Sequence, residues 1–135
     1  MIEYQIEEKI GVEEFRQVLI DSTLGELRPV NEANRISEML NHSNLIVTAR
    51  DSGKLIGVAR SLTDFAFCTY LSDLAVDQRY QKMGIGKELI RQTKKCSPKA
   101  KLILLAAPKA VGYYSKIGMT QWEYSYFLDD EKDLI

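Results

Sequence analysis

Between Leu74 and Ile90 the chain reads Leu-Ala-Val-Asp-Gln-Arg-Tyr-Gln-Lys-Met-Gly-Ile-Gly-Lys-Glu-Leu-Ile. An apolar strand runs into a turn, and the turn opens a helix that carries two glycines in its first turn. The first N–H groups of a helix have no intrahelical partner and sit at the positive end of its dipole, which makes them an anion site. Gly84 and Gly86 remove side chains where a ligand could touch that backbone. Gln81, Lys82 and Lys87 add donors and charge, and Met83 and Ile85 complete the loop. The chemistry to which this spacing points is phosphate binding.

Two phosphate motifs fail residue by residue. A P-loop built on Gly86-Lys87 would need its first glycine at Gln81 and a hydroxyl at Glu88. A dinucleotide fingerprint needs a third glycine where Leu89 stands. What remains is Gln-x-x-Gly-x-Gly, from Gln81 to Gly86. That pattern, with the strand Leu71-Ser-Asp-Leu-Ala-Val76 before it, resembles the pyrophosphate loop of the GNAT (GCN5-related) N-acetyltransferases, which bind coenzyme A. A third match lies downstream. Ala110-Val-Gly-Tyr-Tyr-Ser-Lys-Ile-Gly-Met119 resembles the family's late helix, with Tyr113 and Tyr114 as the aromatic pair and Gly118 as the glycine. The resemblance covers roughly Tyr70 to Met119; the first 65 residues carry no motif of their own.

The resemblance implies a single α/β domain over residues 1–135. Its fold would be a mixed, mostly antiparallel central sheet with splayed parallel central strands, flanked by helices. It implies acetyl-CoA as cosubstrate, no metal, and a primary amine as acceptor, a small molecule before a protein. Such an amine has a pKa of ~10.4, so only about one molecule in 2,500 is unprotonated at pH 7. A proton must therefore be removed, directly or through water, and an oxyanion needs a donor. The family pattern assigns cofactor contacts to Leu74, Ala75 and Val76, with a backbone N–H there as the oxyanion donor, and to the loop from Gln81 to Lys87. It assigns to Tyr114 a hydroxyl that touches the cofactor and gives its proton to the leaving sulfur. Tyr113 is expected to pack. Asp73 is the carboxylate best placed to bind the amine or pass its proton through water; an ordinary strand hydrogen bond explains it equally well. Asp64 and Glu123 are weaker candidates for the base, and His42, the only histidine, reads as a surface residue. Ala107-Pro-Lys109 stands where the family often has an asparagine against coenzyme A, and Met119 where it has phenylalanine. A non-catalytic acyl-CoA binding domain would keep Gly84 and Gly86 but have no use for Tyr114.

Composition limits the alternatives. A net charge of −1 is not that of a general nucleic-acid binder, and Lys94, Lys95, Lys99 and Lys101 read as a helix C-terminus. No apolar run approaches membrane-spanning length, and the acidic, alternating N-terminus is no signal peptide. Two distant cysteines, Cys68 and Cys96, suit a reducing cytoplasm and suggest neither disulfides nor zinc. A homodimer is an expectation of the small size and the late aromatic segment.

Periodicity supplies the elements that position these residues. Strands are predicted at Ile2 to Glu8, Leu45 to Arg50, Lys54 to Leu62, Phe67 to Val76, Lys101 to Ala107 and Trp122 to Leu128, with a hairpin turn at Asp51-Ser-Gly53. Helices are predicted at Val12 to Ile20, at Glu32 to Leu40 with Asn31 as N-cap, after Gly84 as far as Lys95, and from Pro108 to Lys116. The strand–helix–strand order from Phe67 to Ala107 predicts a right-handed crossover between parallel strands.

Overall fold

The alternating and helical patterns organise themselves around one sheet. The computed structural model describes all 135 residues. The elements are β1 (Ile2–Ile6), α1 (Val12–Asp21), α2 (Ala33–Asn41), β2 (Leu45–Asp51), β3 (Lys54–Thr63), β4 (Cys68–Val76), α3 (Ile85–Cys96), β5 (Lys101–Ile103) and α4 (Val111–Lys116). The chain divides into two units, Met1–Leu105 and Ala106–Ile135. The first holds the whole sheet, in the order β1-β2-β3-β4-β5. The first four strands are antiparallel, and β4 and β5 are parallel across the α3 crossover, as the sequence predicts.

Each face of the sheet buries its own cluster. Phe15, Val18 and Leu19 of α1, with Ile36 and Leu40 of α2, pack on Ile46, Val58 and Ala75. Ile85 and Leu89 of α3 pack on Val47, Ala49, Ile56, Ala59 and Leu71. Gly57 lets α3 press this closely. A Cβ there would lie 3.3 Å from each of Ala49 Cβ, Ile85 Cγ2 and Leu89 Cδ1, tighter than ordinary packing. At the far end of α3, Thr69 Oγ1 donates to Ser97 Oγ (3.1 Å), which donates to the Thr93 carbonyl (3.1 Å). Lys94 Nζ closes the helix on the carbonyls of Pro98 and Ala100. No helix is long and apolar enough to cross a membrane.

Three predicted features differ. The N-cap of α2 is Glu32 rather than Asn31, and it makes no side-chain cap. β5 stops at Ile103, because its register with β4 ends at the Tyr70–Ile103 pair. Residues 122–128, predicted as a strand closing the sheet, form none. Alternation gives a segment two faces, but a strand also needs a neighbouring backbone to receive its N–H and C=O groups. Here Trp122 turns to Tyr124 in an edge-on ring contact (5.2 Å), and Tyr126 is almost fully exposed.

The first unit is stitched at one end by charge. Arg50 donates to Glu7 through Nε (2.8 Å) and to both carboxylate oxygens of Glu14 (2.8 and 2.9 Å), joining β1, α1 and β2. For Glu7, burial pushes the carboxyl up, but the hydrogen bonds from Arg50 and Thr48 outweigh it and the net direction is down. For Glu14 the Arg50 hydrogen bond dominates burial and lowers the carboxyl. Both carboxyls sit below their usual 4.5, so their contribution is present above that pH and is lost as pH falls through the lowered values. Arg50→Met should destabilise the protein by about 1–3 kcal/mol at pH 7 in urea unfolding. The gap from the native chain should narrow as pH falls below 4.5 and through the lowered values of the two carboxyls.

Candidate active site

The ladder geometry of β4 creates the site. Asp77 N–H donates to the Ile56 carbonyl (2.8 Å), so position 77 faces β3. Neighbouring residues of a strand turn their polar groups to opposite sides, so Leu74 and Val76 face away from β3, toward the β5 side. On that side β5 pairs β4 only over Cys68–Tyr70. From Leu71 to Val76 the edge has no strand beside it. The two strands part at the Tyr70–Ile103 pair and leave a wedge with backbone donors along one wall.

Gln81 tends the open end of this wedge. Its side-chain amide donates to the Val76 carbonyl (3.1 Å), so it staples the loop to the strand instead of standing free as a donor. The foot of the loop is anchored twice more. Asp77 accepts from the Arg79 N–H (2.9 Å) and from its Nη2 (2.7 Å); these hydrogen bonds lower the Asp77 carboxyl against the effect of burial. Tyr80 donates its hydroxyl to Asp51 at the β2–β3 turn (2.6 Å). Beyond these anchors Lys82 and Gly84 both take the left-handed conformation (φ 66° and 78°). Gly84 then caps α3, and the first helical bond to close on it is from the Glu88 N–H (3.1 Å). The N–H groups of Ile85, Gly86 and Lys87 thus lie ahead of the helix's own ladder. Open space surrounds Gly84: an added Cβ would meet nothing within 4 Å. Gln81, Lys82, Met83 and Lys87 are exposed around it, and Ile85 is buried beneath. Backbone donors, a positive helix end, two lysines and free space fit a pyrophosphate.

The other wall of the strand is a buried charge cluster. Asp73 has no exposed surface. Arg60 Nε donates to one of its oxygens and Arg28 Nε to the other (2.5 Å). Arg60, itself buried, also donates to the Met39 carbonyl (3.1 Å), Ser43 Oγ (2.9 Å) and Ser72 Oγ (3.0 Å). The role expected of Asp73, meeting an amine, therefore falls on a carboxylate already held by two guanidinium groups. Neither arginine was singled out by sequence reasoning, although Arg60 inside the apolar strand Leu-Ile-Gly-Val-Ala-Arg is a signal that a buried partner must exist. Asp64 is also committed. Its carboxylate accepts the N–H groups of Ala66, Phe67 and Cys68, which hold its pKa down at about 2. His42 follows α2 as an exposed C-cap, and Glu123 is exposed.

Tyr113 and Tyr114 lie in the second unit, on α4. Their rings meet edge-on at 5.3 Å. Tyr114 is half-buried, while Tyr113, expected to pack, is the more exposed of the two.

Residues 13–127 match the acetyltransferase (GNAT) domain, and the chain belongs to the GNAT family. The uncharacterised N-acetyltransferase ycf52 of Porphyra purpurea is 28% identical over 107 residues, covering 74% of this chain and 60% of that protein. The chain thus spans about 60% of the length of that curated relative. Among solved structures, a GNAT-family acetyltransferase of Streptococcus pneumoniae superposes with a TM-score of 0.78 at 22% identity, over 97% of this chain and 100% of the other. An aminoglycoside acetyltransferase from an uncultured soil metagenomic sample, in complex with sisomicin, gives 0.67 at 18% identity, over 96% and 97%. At these identities the structural likeness is one of fold.

Gly84→Glu tests the loop. The new side chain enters open space, so the cost to folding is the strained backbone, about 1–2 kcal/mol. Its charge falls where the pyrophosphate would sit. Acetyl-CoA affinity by calorimetry should drop on the order of 100-fold or more, with the thermal melt still cooperative. Native affinity in the folded variant would remove the loop from the site.

Proposed function

We propose that the protein is an acetyl-CoA-dependent N-acetyltransferase that passes the acetyl group to a primary amine by direct attack in a ternary complex. One observation carries the reading: the open edge of β4 leads straight to a glycine loop that caps α3. Leu74, Ala75 and Val76 would line the thioester arm, and residues 81–87 the pyrophosphate. Acetyl-CoA supplies an activated acyl carbon. A backbone N–H on the open edge, at Leu74 or Val76, points where negative charge develops on the acyl oxygen.

The acceptor reaches the acyl carbon as a neutral amine, its ammonium proton having passed to water along the open edge. The N–C bond forms and the C–S bond breaks; the nitrogen gives up a second proton to water, Tyr114, assigned by motif position, gives its hydroxyl proton to the departing sulfur, and water returns a proton to the tyrosinate. Asp73 is read here as the anchor of Arg28 and Arg60 and not as the base, since both its oxygens are engaged away from solvent. A small-molecule amine is the preferred acceptor. Two free thiols, Cys68 exposed, support a reducing cytoplasm.

Free-thiol release against a panel of amines, with acetyl-CoA binding followed in the same sample, tests the reading. Amine-dependent release is expected; binding without release for any amine would favour a non-catalytic acyl-CoA domain. Tyr114→Phe should lower kcat about 10²-fold with acetyl-CoA affinity held within about two-fold; unchanged kcat would take Tyr114 out of the mechanism.

The exposed Trp122, Tyr124, Tyr126 and Phe127 support a homodimer. Sedimentation at micromolar concentration should then give twice the 15.4 kDa chain mass; a monomer alone would end that part of the reading.

A further inference from the structure

The pairing of β3 with β4 skips one residue. Arg60 stands opposite Asp73 and Ser61 opposite Leu71, so Ser72 is the extra residue of a bulge. A bulged residue loses its ladder partners, and its carbonyl must find another donor. That donor is Arg28 Nη2, at 2.8 Å. The same guanidinium reaches the Asp73 carboxylate through Nε (2.5 Å) and the Leu27 carbonyl through Nη1 (3.0 Å). Arg28 belongs to the connection between α1 and α2, with Leu24–Leu27 in a short 3₁₀ turn before it. Arg16 Nε holds the Val30 carbonyl of the same connection (2.6 Å).

The two arginines on Asp73 do different work. Arg60 comes from β3, is buried, and spends its other donors on Met39, Ser43 and Ser72. It keeps the carboxylate neutralised whatever Arg28 does. Arg28 comes from a loop, is about one-fifth exposed, and holds the Ser72 carbonyl. The bulge sets the phase of the strand: it lets Leu71 and Leu74 both lie on the α3 side while Asp73 and Ala75 lie on the other. Leu74, with an N–H on the open edge, is two residues from the carbonyl that Arg28 clamps.

We propose that Arg28 is a positioning residue for acyl transfer, latching the α1–α2 connection to the bulge at Ser72 and thereby setting the acceptor side of the wedge. This rests on the acetyltransferase reading for its kinetic consequence, and on the latch geometry alone for its structural one. The pyrophosphate loop lies beyond the far end of the strand, so the latch acts on acceptor use and not on cofactor affinity.

Arg28→Met tests it in the full chain. The variant leaves Asp73 paired with Arg60, so it should fold, with a cooperative melt. Hydrogen exchange should quicken over residues 23–32 and 71–75 and stay at native rates in α3. The acceptor kcat/KM should fall on the order of ten-fold or more, while the acetyl-CoA Kd stays within about two-fold. Arg28→Lys keeps the charge but cannot hold a carboxylate and a carbonyl in one planar fork, so it should restore only part of the loss. Native exchange over residues 23–32 and 71–75 in Arg28→Met would overturn the latch. Quickened exchange with unchanged acceptor kcat/KM would overturn the positioning role. Complete rescue by lysine would reduce Arg28 to a bare charge and also overturn it. Failure of the native chain to release thiol with any amine would count against the acetyltransferase reading, with the exchange arm still deciding the latch.

Discussion

Past Tyr70, the fourth strand has polar backbone groups on one side and no strand to receive them. A buried N–H or C=O without a partner is expensive, and an open sheet edge invites any extended chain that fits. The fold accepts this cost for six residues, and the surrounding structure serves to keep the gap open. Antiparallel pairing with β3 fixes the other edge of β4 from Thr69 to Val76, apart from the bulge at Ser72. The crossover through α3 brings β5 back beside only the first three residues. Gly57 lets α3 press closely on the sheet, which sets where its N-terminus falls relative to the gap. Gln81 takes the one carbonyl at the mouth, leaving the donors to a guest.

The buried charges belong to the same problem. A strand that must be paired on one side and open on the other cannot rely on two ladders for rigidity. β4 gains part of what it lacks from side chains. Asp73, fully enclosed, is reached by two guanidinium groups from elements 13 and 45 residues earlier in the chain. Removing one partner from a buried pair is far more damaging than the pair is stabilising. The arrangement therefore constrains geometry more than it adds stability, and it does so at the bulge, where the ladder is weakest.

These features differ in how far the sequence alone reveals them. The glycine loop and the crossover were legible because both are local: a strand, a turn and a helix in consecutive residues, with glycines at a fixed spacing. The hairpin at Asp51-Ser-Gly53 was legible for the same reason. Asp73 was visible as a carboxylate on the right strand, yet its partners were not, because pairing with Arg28 depends on a loop whose path no periodicity describes. Arg60 opposite Asp73 follows only once the register is known. Residues 122–128 show the opposite failure. Their alternation is strong, but strand formation depends on a second backbone, which a one-dimensional pattern does not report.

In the proposed acetyltransferase site the two ends of β4 would differ in how freely they can change. The nucleotide end would rest on main-chain donors and on a helix terminus capped by Gly84 in the left-handed conformation. The acceptor end would be bounded by the α1–α2 connection, which Arg28 ties to one carbonyl and one carboxylate of β4 and Arg16 ties to α1. Alterations in the α1–α2 connection can reshape that end while the gap, the staple at Gln81 and the α3 N-terminus stay fixed. A rigid donor platform beside a tethered loop is what a fold needs to keep one activated acyl carrier and vary its amine.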